Sequence, residues 1–319
     1  MEYAKLGQSN VEVSRLCVGC MSFGDPASKM HAWTLNPEQT KEIVLHALEL
    51  GINFFDTANC YSAGTSEEYL AAALSGIPRE KYALATKVYF NDGHLSKAAI
   101  NREIDGSLKR LKTDYVDLYI IHRYDYDTPI EETMQALDGL IKAGKARALG
   151  ASAMYGYQFH NMQLAAERNG FTKFSSMQNH YNLLYREDER ELIPICRQTG
   201  VSLTPYSPLA AGRLSRLEWT ANTLRSQTDK TARAKYDSTE ASDYEIVKRV
   251  HEIAEKHNAT MTQIALAWQF SKGVTSPLIG ATKAKYFDDA AGALDIKLSA
   301  DDVQRLEELY LPHKIVGAI

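Results

Sequence analysis

Several things are scarce or missing in this 319-residue chain, and each absence narrows what it can be. Four cysteines are too few for a disulfide framework. Cys17 and Cys20 have the spacing of half a zinc or redox motif, but Cys60 and Cys196 are remote and no second pair exists, so buried, inert thiols and no metal site are expected. Charge of one sign is not in excess. The 36 Lys and Arg face 40 Asp and Glu, a formal net charge of −4, which gives no general attraction for nucleic acid or an anionic membrane. The longest apolar stretches, such as residues 264–270, are far too short to span a bilayer. The start, Met1-Glu2-Tyr3-Ala4-Lys5, lacks the basic-then-apolar run of a secretory leader, and a cytoplasmic protein is expected. Both common phosphate-cradling loops, Gly-x-Gly-x-x-Gly after the first strand and Gly-x-x-x-x-Gly-Lys-Ser/Thr, are missing. So are coiled-coil heptads, low-complexity linkers and repeats.

What is present is alternation. Short β-rich runs recur at intervals of roughly thirty residues with helical patterns between them, the spacing of βαβ units in parallel sheets. After a candidate hairpin at 3–6 and 11–14, strands are expected at 16–20, 52–56, 82–87, 116–122, 146–151, 175–178, 201–206 and 275–280. Eight parallel strands fit an α/β protein of the (β/α)8 TIM-barrel class, with an N-terminal β-hairpin and residues 1–319 forming a single domain. Asn36, Pro37 and Gln39 predict a capped helix start, with Val44, Ala47 and Leu48 as its apolar stripe and Gly51 as its stop. Thr128-Pro129-Ile130-Glu131 predicts a second start, ending at Gly144. The long interval after the seventh strand implies an inserted loop. Residues 212–242 are polar there, and 213–235 carry Arg213, Arg216, Arg225, Lys230, Arg233 and Lys235 against Glu218 and Asp229. That segment is a candidate anion-attracting lid as well as an ordinary solvated loop.

Barrel active sites form at the carboxyl ends of the strands. Asp56 ends the second strand, Tyr61 follows five residues on, Lys87 ends the third and His122 the fourth. Each has a plainer reading: a helix cap, one of 18 tyrosines, a rim lysine, a satisfied core histidine. Their convergence at one mouth favours the functional one. Together they suit carbonyl reduction, which needs an acid beside the oxygen that gains charge. A tyrosine is too weak an acid unaided, at about 10. An ammonium at ~4 Å contributes ~4 kcal/mol at an effective dielectric of ~20, about three pKa units toward the phenolate before desolvation. Lys87 is the expected ammonium, Asp56 its ion-pair partner, and His122 the group that orients the substrate oxygen.

At these residues the chain resembles the aldo-keto reductase family, NAD(P)-dependent (β/α)8 barrels with an Asp-Tyr-Lys-His tetrad. The landmarks GINFFDTANCYSAGTSEE, LATKV, SLKRLKTDYVDLYIIHR, MQNHYNLL, TPYSPLAAGRL and PLIGATK run across essentially the whole chain. The resemblance implies that Ser152 and Gln178 bind the nicotinamide carboxamide and that Tyr206 stacks on the ring. It assigns Ser207, Leu209, Gly212 and Arg213 to the pyrophosphate side, and Ile279, Gly280, Thr282 and Lys283 to the adenosine phosphate. NADP(H) is expected in preference to NAD(H), with the basic insertion folding over the pyrophosphate. The chain departs from the family pattern at Ala153, Tyr286 and Ala290, where Asn or Ser, Arg, Gln or His, and Asn are common. Phe23, Trp33, Tyr89 and Tyr124, with Phe90 and Tyr155, are candidate walls of a pocket for a small carbonyl substrate.

The segments HAWTLNPEQ, IIHRYDYDTPIEETM, HYNLLYRE and PHKIVG resemble a bacterial subgroup that includes a reductase associated with 1-deoxyxylulose 5-phosphate. Two other functions stay open on this reading. One is a nucleotide-loaded sensor or accessory subunit, because the same fold serves as a binding module for channels. The other is a sugar-phosphate converting enzyme, with Lys87 as a Schiff-base nucleophile.

Overall fold

The computed structural model describes residues 1–28, 30–219 and 224–317. Ten strands appear in chain order: β1 (Tyr3–Lys5), β2 (Glu12–Ser14), β3 (Cys17–Gly19), β4 (Phe54–Asp56), β5 (Ala83–Val88), β6 (Val116–Ile121), β7 (Ala146–Ser152), β8 (Phe174–Gln178), β9 (Ser202–Leu203) and β10 (Leu278–Ile279). Strands β1 and β2 form the expected antiparallel hairpin. The other eight form one parallel sheet in the order β10-β3-β4-β5-β6-β7-β8-β9. Its ends meet through backbone bonds from Thr275 N–H to the Leu203 carbonyl and Leu278 N–H to the Pro205 carbonyl, both 2.9 Å. The result is a (β/α)8 barrel with helices between the strands. The seventh and eighth strands pair over shorter stretches than their apolar runs suggest, because the seam is made of isolated bonds, not a regular ladder.

Strand alternation decides which residues reach the lumen. Phe54, Ala83, Ala85, Leu118, Ile120 and Ala148 point inward and pack with Leu6, Val11 and Val13 of the hairpin region. Phe55, Leu84, Val88, Tyr119, Ile121 and Leu149 point outward into the helix layer. Small residues make room for large ones: a Cβ on Gly150 would lie 2.7 Å from Ser176 Oγ and 3.0 Å from Ile120 Cγ1. With Ala83 and Ala85 inward, Lys87 is inward too, at the carboxyl end of β5.

The helices are α1 (Pro37–Glu49), α2 (Thr65–Ala73), α3 (Lys97–Leu111), α4 (Ile130–Lys142), α5 (Gly156–Asn169), α6 (Leu192–Gln198), α7 (Leu224–Thr228), α8 (Lys230–Tyr236), α9 (Glu240–His257), α10 (Met261–Ser271), α11 (Lys285–Gly292) and α12 (Ala300–Glu307). Helix α1 starts as the sequence predicts: Asn36 accepts from the Gln39 N–H, the Gln39 side chain accepts from the Asn36 N–H, and Gly51 takes a φ of +80°. Helix α4 has Pro129 at its N-cap and no side-chain cap. Among the described residues no helix is long and apolar enough to cross a membrane.

The insertion is more structured than a solvated loop. Helices α7, α8 and the start of α9 lie within 212–242, while 220–223 fall outside the described residues. Tyr236 is buried and hydrogen-bonded to His180 Nε2 at 2.7 Å, which ties the segment to the barrel mouth.

Candidate active site

Four side chains converge where β4, β5 and β6 end side by side, as their parallel register requires. Lys87 is fully buried and its ammonium uses all three protons. They go to Asp56 Oδ1 at 2.5 Å, the Thr57 carbonyl at 2.8 Å and Tyr61 Oη at 3.2 Å. The other Asp56 oxygen accepts from Gln178 Nε2 at 2.9 Å, across the barrel on β8. His122 follows β6, held by its N–H on the Val88 carbonyl at 2.9 Å, and its ring stands edge-on to Tyr61 with centroids 5.7 Å apart.

The turn after β4 is built to present Tyr61. Ser62, Ala63 and Gly64 take φ values of +47°, +55° and +91°, three consecutive left-handed residues that swing the chain into α2. For Ser62 and Ala63 this is a strained conformation. Ser62 Oγ donates to the Phe23 carbonyl and Thr65 Oγ1 donates to the Ser62 carbonyl, so the turn is held from both sides.

The electrostatics differ from the sequence expectation at one point. Burial pushes Tyr61 up to about 12 in spite of the Lys87 ammonium, whose charge and hydrogen bond pull it down. Desolvation outweighs the ion, so Tyr61 holds its proton and acts as a donor, not as a phenol poised near neutrality. Burial opposes the charge on Lys87 as well, but Asp56 and Tyr61 more than offset it and hold the amine protonated. Burial, Lys87 and Arg123 keep His122 well below the ordinary histidine range, as a neutral imidazole. Burial raises Asp56 against the pull of Lys87 and Gln178; with a donor on each oxygen it serves as the counter-ion.

The residues expected to hold a nucleotide lie around the same mouth. Ser152 Oγ donates to the Gln178 carbonyl at 2.8 Å, so both candidate carboxamide ligands belong to one chain of bonds that ends on Asp56. The Tyr206 ring stacks on His180 at 5.2 Å, and His180 on Tyr185 at 4.1 Å. Lys235 Nζ lies 4.4 Å from the Tyr206 centroid. Ser207 and Gly212 both have left-handed backbone, and Leu209 caps the short helical turn 210–215 in which Gly212 lies. Arg213 pairs with Asp237 and, through Nη1 at 3.8 Å, with Glu240, so its guanidinium is held by the insertion and the start of α9. Ile279 is buried on β10, whereas Gly280, Thr282 and Lys283 are exposed ahead of α11. The Ser152 hydroxyl, the Gln178 amide and the cationic Lys235 and Arg213 at this mouth fit an anionic, carboxamide-bearing dinucleotide, whose ring would reach Tyr206 where His180 and Lys235 now lie against it.

The candidate pocket walls separate. Phe23 is fully buried in the core, its backbone bridged to Leu35, so it packs behind the turn and does not line the mouth. Trp33 is nearly buried beneath Arg225 of the insertion. Phe90 is half exposed and edge-on to His122 at 5.1 Å, with Tyr89 against it. Tyr124 packs on Tyr126, and Tyr155 on Tyr157. Sequence reasoning did not find Thr57, whose backbone carbonyl does the work, nor the tail: Arg123 donates to the Gly317 carbonyl and Tyr185 Oη accepts from Val316 N–H at 3.1 Å. Nothing in the sequence pairs residues 123 and 317. His180 lay inside the MQNHYNLL motif and was there to be found.

Comparison with known proteins settles the family. Residues 15–311 match the Aldo/keto reductase family. The chain belongs to that family. Versiconal hemiacetal acetate reductase of Aspergillus parasiticus is 40% identical over 99% of this chain and 98% of its own. An aldo-keto reductase of Fusarium vanettenii is 41% identical over 99% and 93%. A Schizosaccharomyces pombe protein bearing the name aryl-alcohol dehydrogenase is 40% identical over 99% and 98%. These relatives are fungal and yeast proteins, so the suggested bacterial subgroup finds no support among them. This aldo/keto reductase is therefore an oxidoreductase, and its relatives' names support carbonyl reduction.

Proposed function

We propose that this aldo/keto reductase is a cytoplasmic, single-domain enzyme that reduces aldehydes and ketones to alcohols with NADP(H), Tyr61 supplying the proton. The observation that carries the reading is Tyr61 Oη at 3.2 Å from an ammonium whose remaining protons are committed to Asp56 and Thr57. A bound nicotinamide would supply the hydride. Asp56 keeps Lys87 charged, and Lys87 stabilises the phenolate that forms as Tyr61 gives up its proton to the substrate oxygen. Because Tyr61 is a weak acid here, proton transfer has to accompany hydride arrival and not precede it. His122, neutral and beside Tyr61, holds the carbonyl oxygen from the other side.

Ser152, Gln178 and Tyr206 would hold the nicotinamide, Ser207, Leu209, Gly212 and Arg213 the pyrophosphate, and Ile279, Gly280, Thr282 and Lys283 the adenosine end. The exposed Lys283 favours the extra phosphate of NADP(H). Phe90, Tyr89 and Tyr124 favour an aryl carbonyl substrate, in keeping with the aryl-alcohol dehydrogenase name of one relative. An amine kept protonated by Asp56 is a poor Schiff-base nucleophile, which argues against the sugar-phosphate lyase chemistry. The deciding experiment is Tyr61→Phe. Carbonyl reduction is expected to vanish while NADPH titrates as in the parent protein; retained turnover would remove Tyr61 from the chemistry.

A further inference from the structure

Cys60 immediately precedes Tyr61, and its sulfur lies 3.9 Å from Nδ1 of His122, within reach of a weak S–H···N bond. The two residues are 62 apart in sequence and meet only because β4, β5 and β6 are neighbours. The His122 ring is confined between Tyr61 and Phe90, both edge-on, with centroids at 5.7 and 5.1 Å. Among the described residues Cys60 is the partner of its Nδ1, and Nε2 has none.

We infer that Cys60 is a positioning residue: its thiol donates to Nδ1 of His122 and so fixes the tautomer that carries its proton on Nε2, the nitrogen left for a carbonyl oxygen. The inference rests on the reductase reading above. A neutral imidazole has one N–H, and the partner of the second nitrogen decides which nitrogen carries it. With the proton on Nδ1, Nε2 would present a lone pair to the substrate oxygen and repel it. A thiolate at position 60 would only accept and would select that unproductive form. Burial, opposed in part by Lys87, raises Cys60 to about 11, so it stays a thiol and a donor. Among the described residues the other charges acting on the pair are Glu67 on the Cys60 side and Arg123 on the His122 side.

The test is the tautomer of His122, read from ¹⁵N shifts and long-range couplings of histidine-labelled protein, with the signal identified by its loss in His122→Gln. The parent protein is expected to show Nε2–H. Cys60→Ala and the space-filling Cys60→Val should shift His122 toward Nδ1–H and lower kcat by about twofold to tenfold, the worth of one neutral hydrogen bond, with NADPH affinity unchanged. Cys60→Ser, which restores a donor, should recover the tautomer and most of the turnover. An unchanged tautomer in either donorless variant, or lost turnover without a tautomer change, overturns the inference. The NMR measurement does not need turnover. A parent protein that fails on every aldehyde and ketone would therefore count against the reductase reading, and the spectrum would still judge Cys60.

Discussion

Lys87→Met is the perturbation that separates stability from chemistry at this site. Lys87 and Asp56 are 0% and 1% exposed, with Nζ 2.5 Å from Oδ1. At that separation two unit charges attract by about 7 kcal/mol at an effective dielectric of ~20. Removing the ammonium forfeits this attraction and strands a buried carboxylate with Gln178 as its remaining side-chain donor. Breaking one side of such a pair costs about 3–5 kcal/mol. For a protein of this size that corresponds to a midpoint lowered by on the order of 5 °C. Adding Asp56→Asn removes the stranded charge, and the double variant is expected to regain most of the lost stability without regaining turnover. The deficit of Lys87→Met also depends on pH. In that variant the folded-state pKa of Asp56 lies above its unfolded value, so the deficit is smallest in acid, where both states are protonated, and grows as pH rises through the folded pKa. Thermal and urea unfolding of the four proteins in the cycle, with NADPH consumption alongside, tests all of this. A Lys87→Met protein within about 1 kcal/mol of the parent at neutral pH would refute the claim that Asp56 depends on Lys87.

Other expectations follow from the same geometry. With Tyr61 pushed up to about 12 and His122 held well below the ordinary range, kcat for reduction is flat through neutral pH and declines only as pH climbs toward the Tyr61 value. A titration step near neutrality that vanishes in His122→Gln would contradict this. Burial opposes the charge on His313, but its bond to Asp243 at 2.9 Å raises it overall. A raised folded pKa makes its contribution complete below the unfolded value and lost as pH rises through the folded one. Amide protection in residues 311–317, taken relative to the intrinsic base-catalysed exchange rate, should therefore fall at alkaline pH, and in His313→Ala it should be low and no longer change with pH. Arg213→Ala is expected to weaken NADPH binding and flatten its salt dependence. Titrations at two ionic strengths that match those of the parent would dismiss Arg213 from the nucleotide site.

The barrel was legible because short β-rich runs and their βαβ spacing are local properties, and all ten expected strands appear. The α1 cap was legible for the same reason, since Asn36 and Gln39 bond within one turn. The α4 start at Thr128–Glu131 and its stop at Gly144 were legible too: the helix runs Ile130–Lys142, with Pro129 at its N-cap and Gly144 at a φ of +73°. The loop that carries Phe23 leads to the mouth, which makes it a candidate wall in the sequence, but in the fold its backbone is bridged to Leu35 and its side chain is fully buried in the core. The sequence left the insertion open between an anion-attracting lid and a solvated loop, because the burial of Tyr236 and the approach of Lys235 to Tyr206 depend on a partner surface formed far away in the chain.

What the residues alone determined is the set of groups available at the barrel mouth, because their positions at the carboxyl ends of successive strands assign Asp56, Lys87 and His122 to it without any long-range information. What only the tertiary structure decided is how acidic those groups are and which bonds they keep. Desolvation depends on everything packed around a side chain, and it reversed the direction expected for Tyr61. The meeting of Cys60 with His122, and of Gln178 with Asp56, likewise exists only once the sheet has closed on itself.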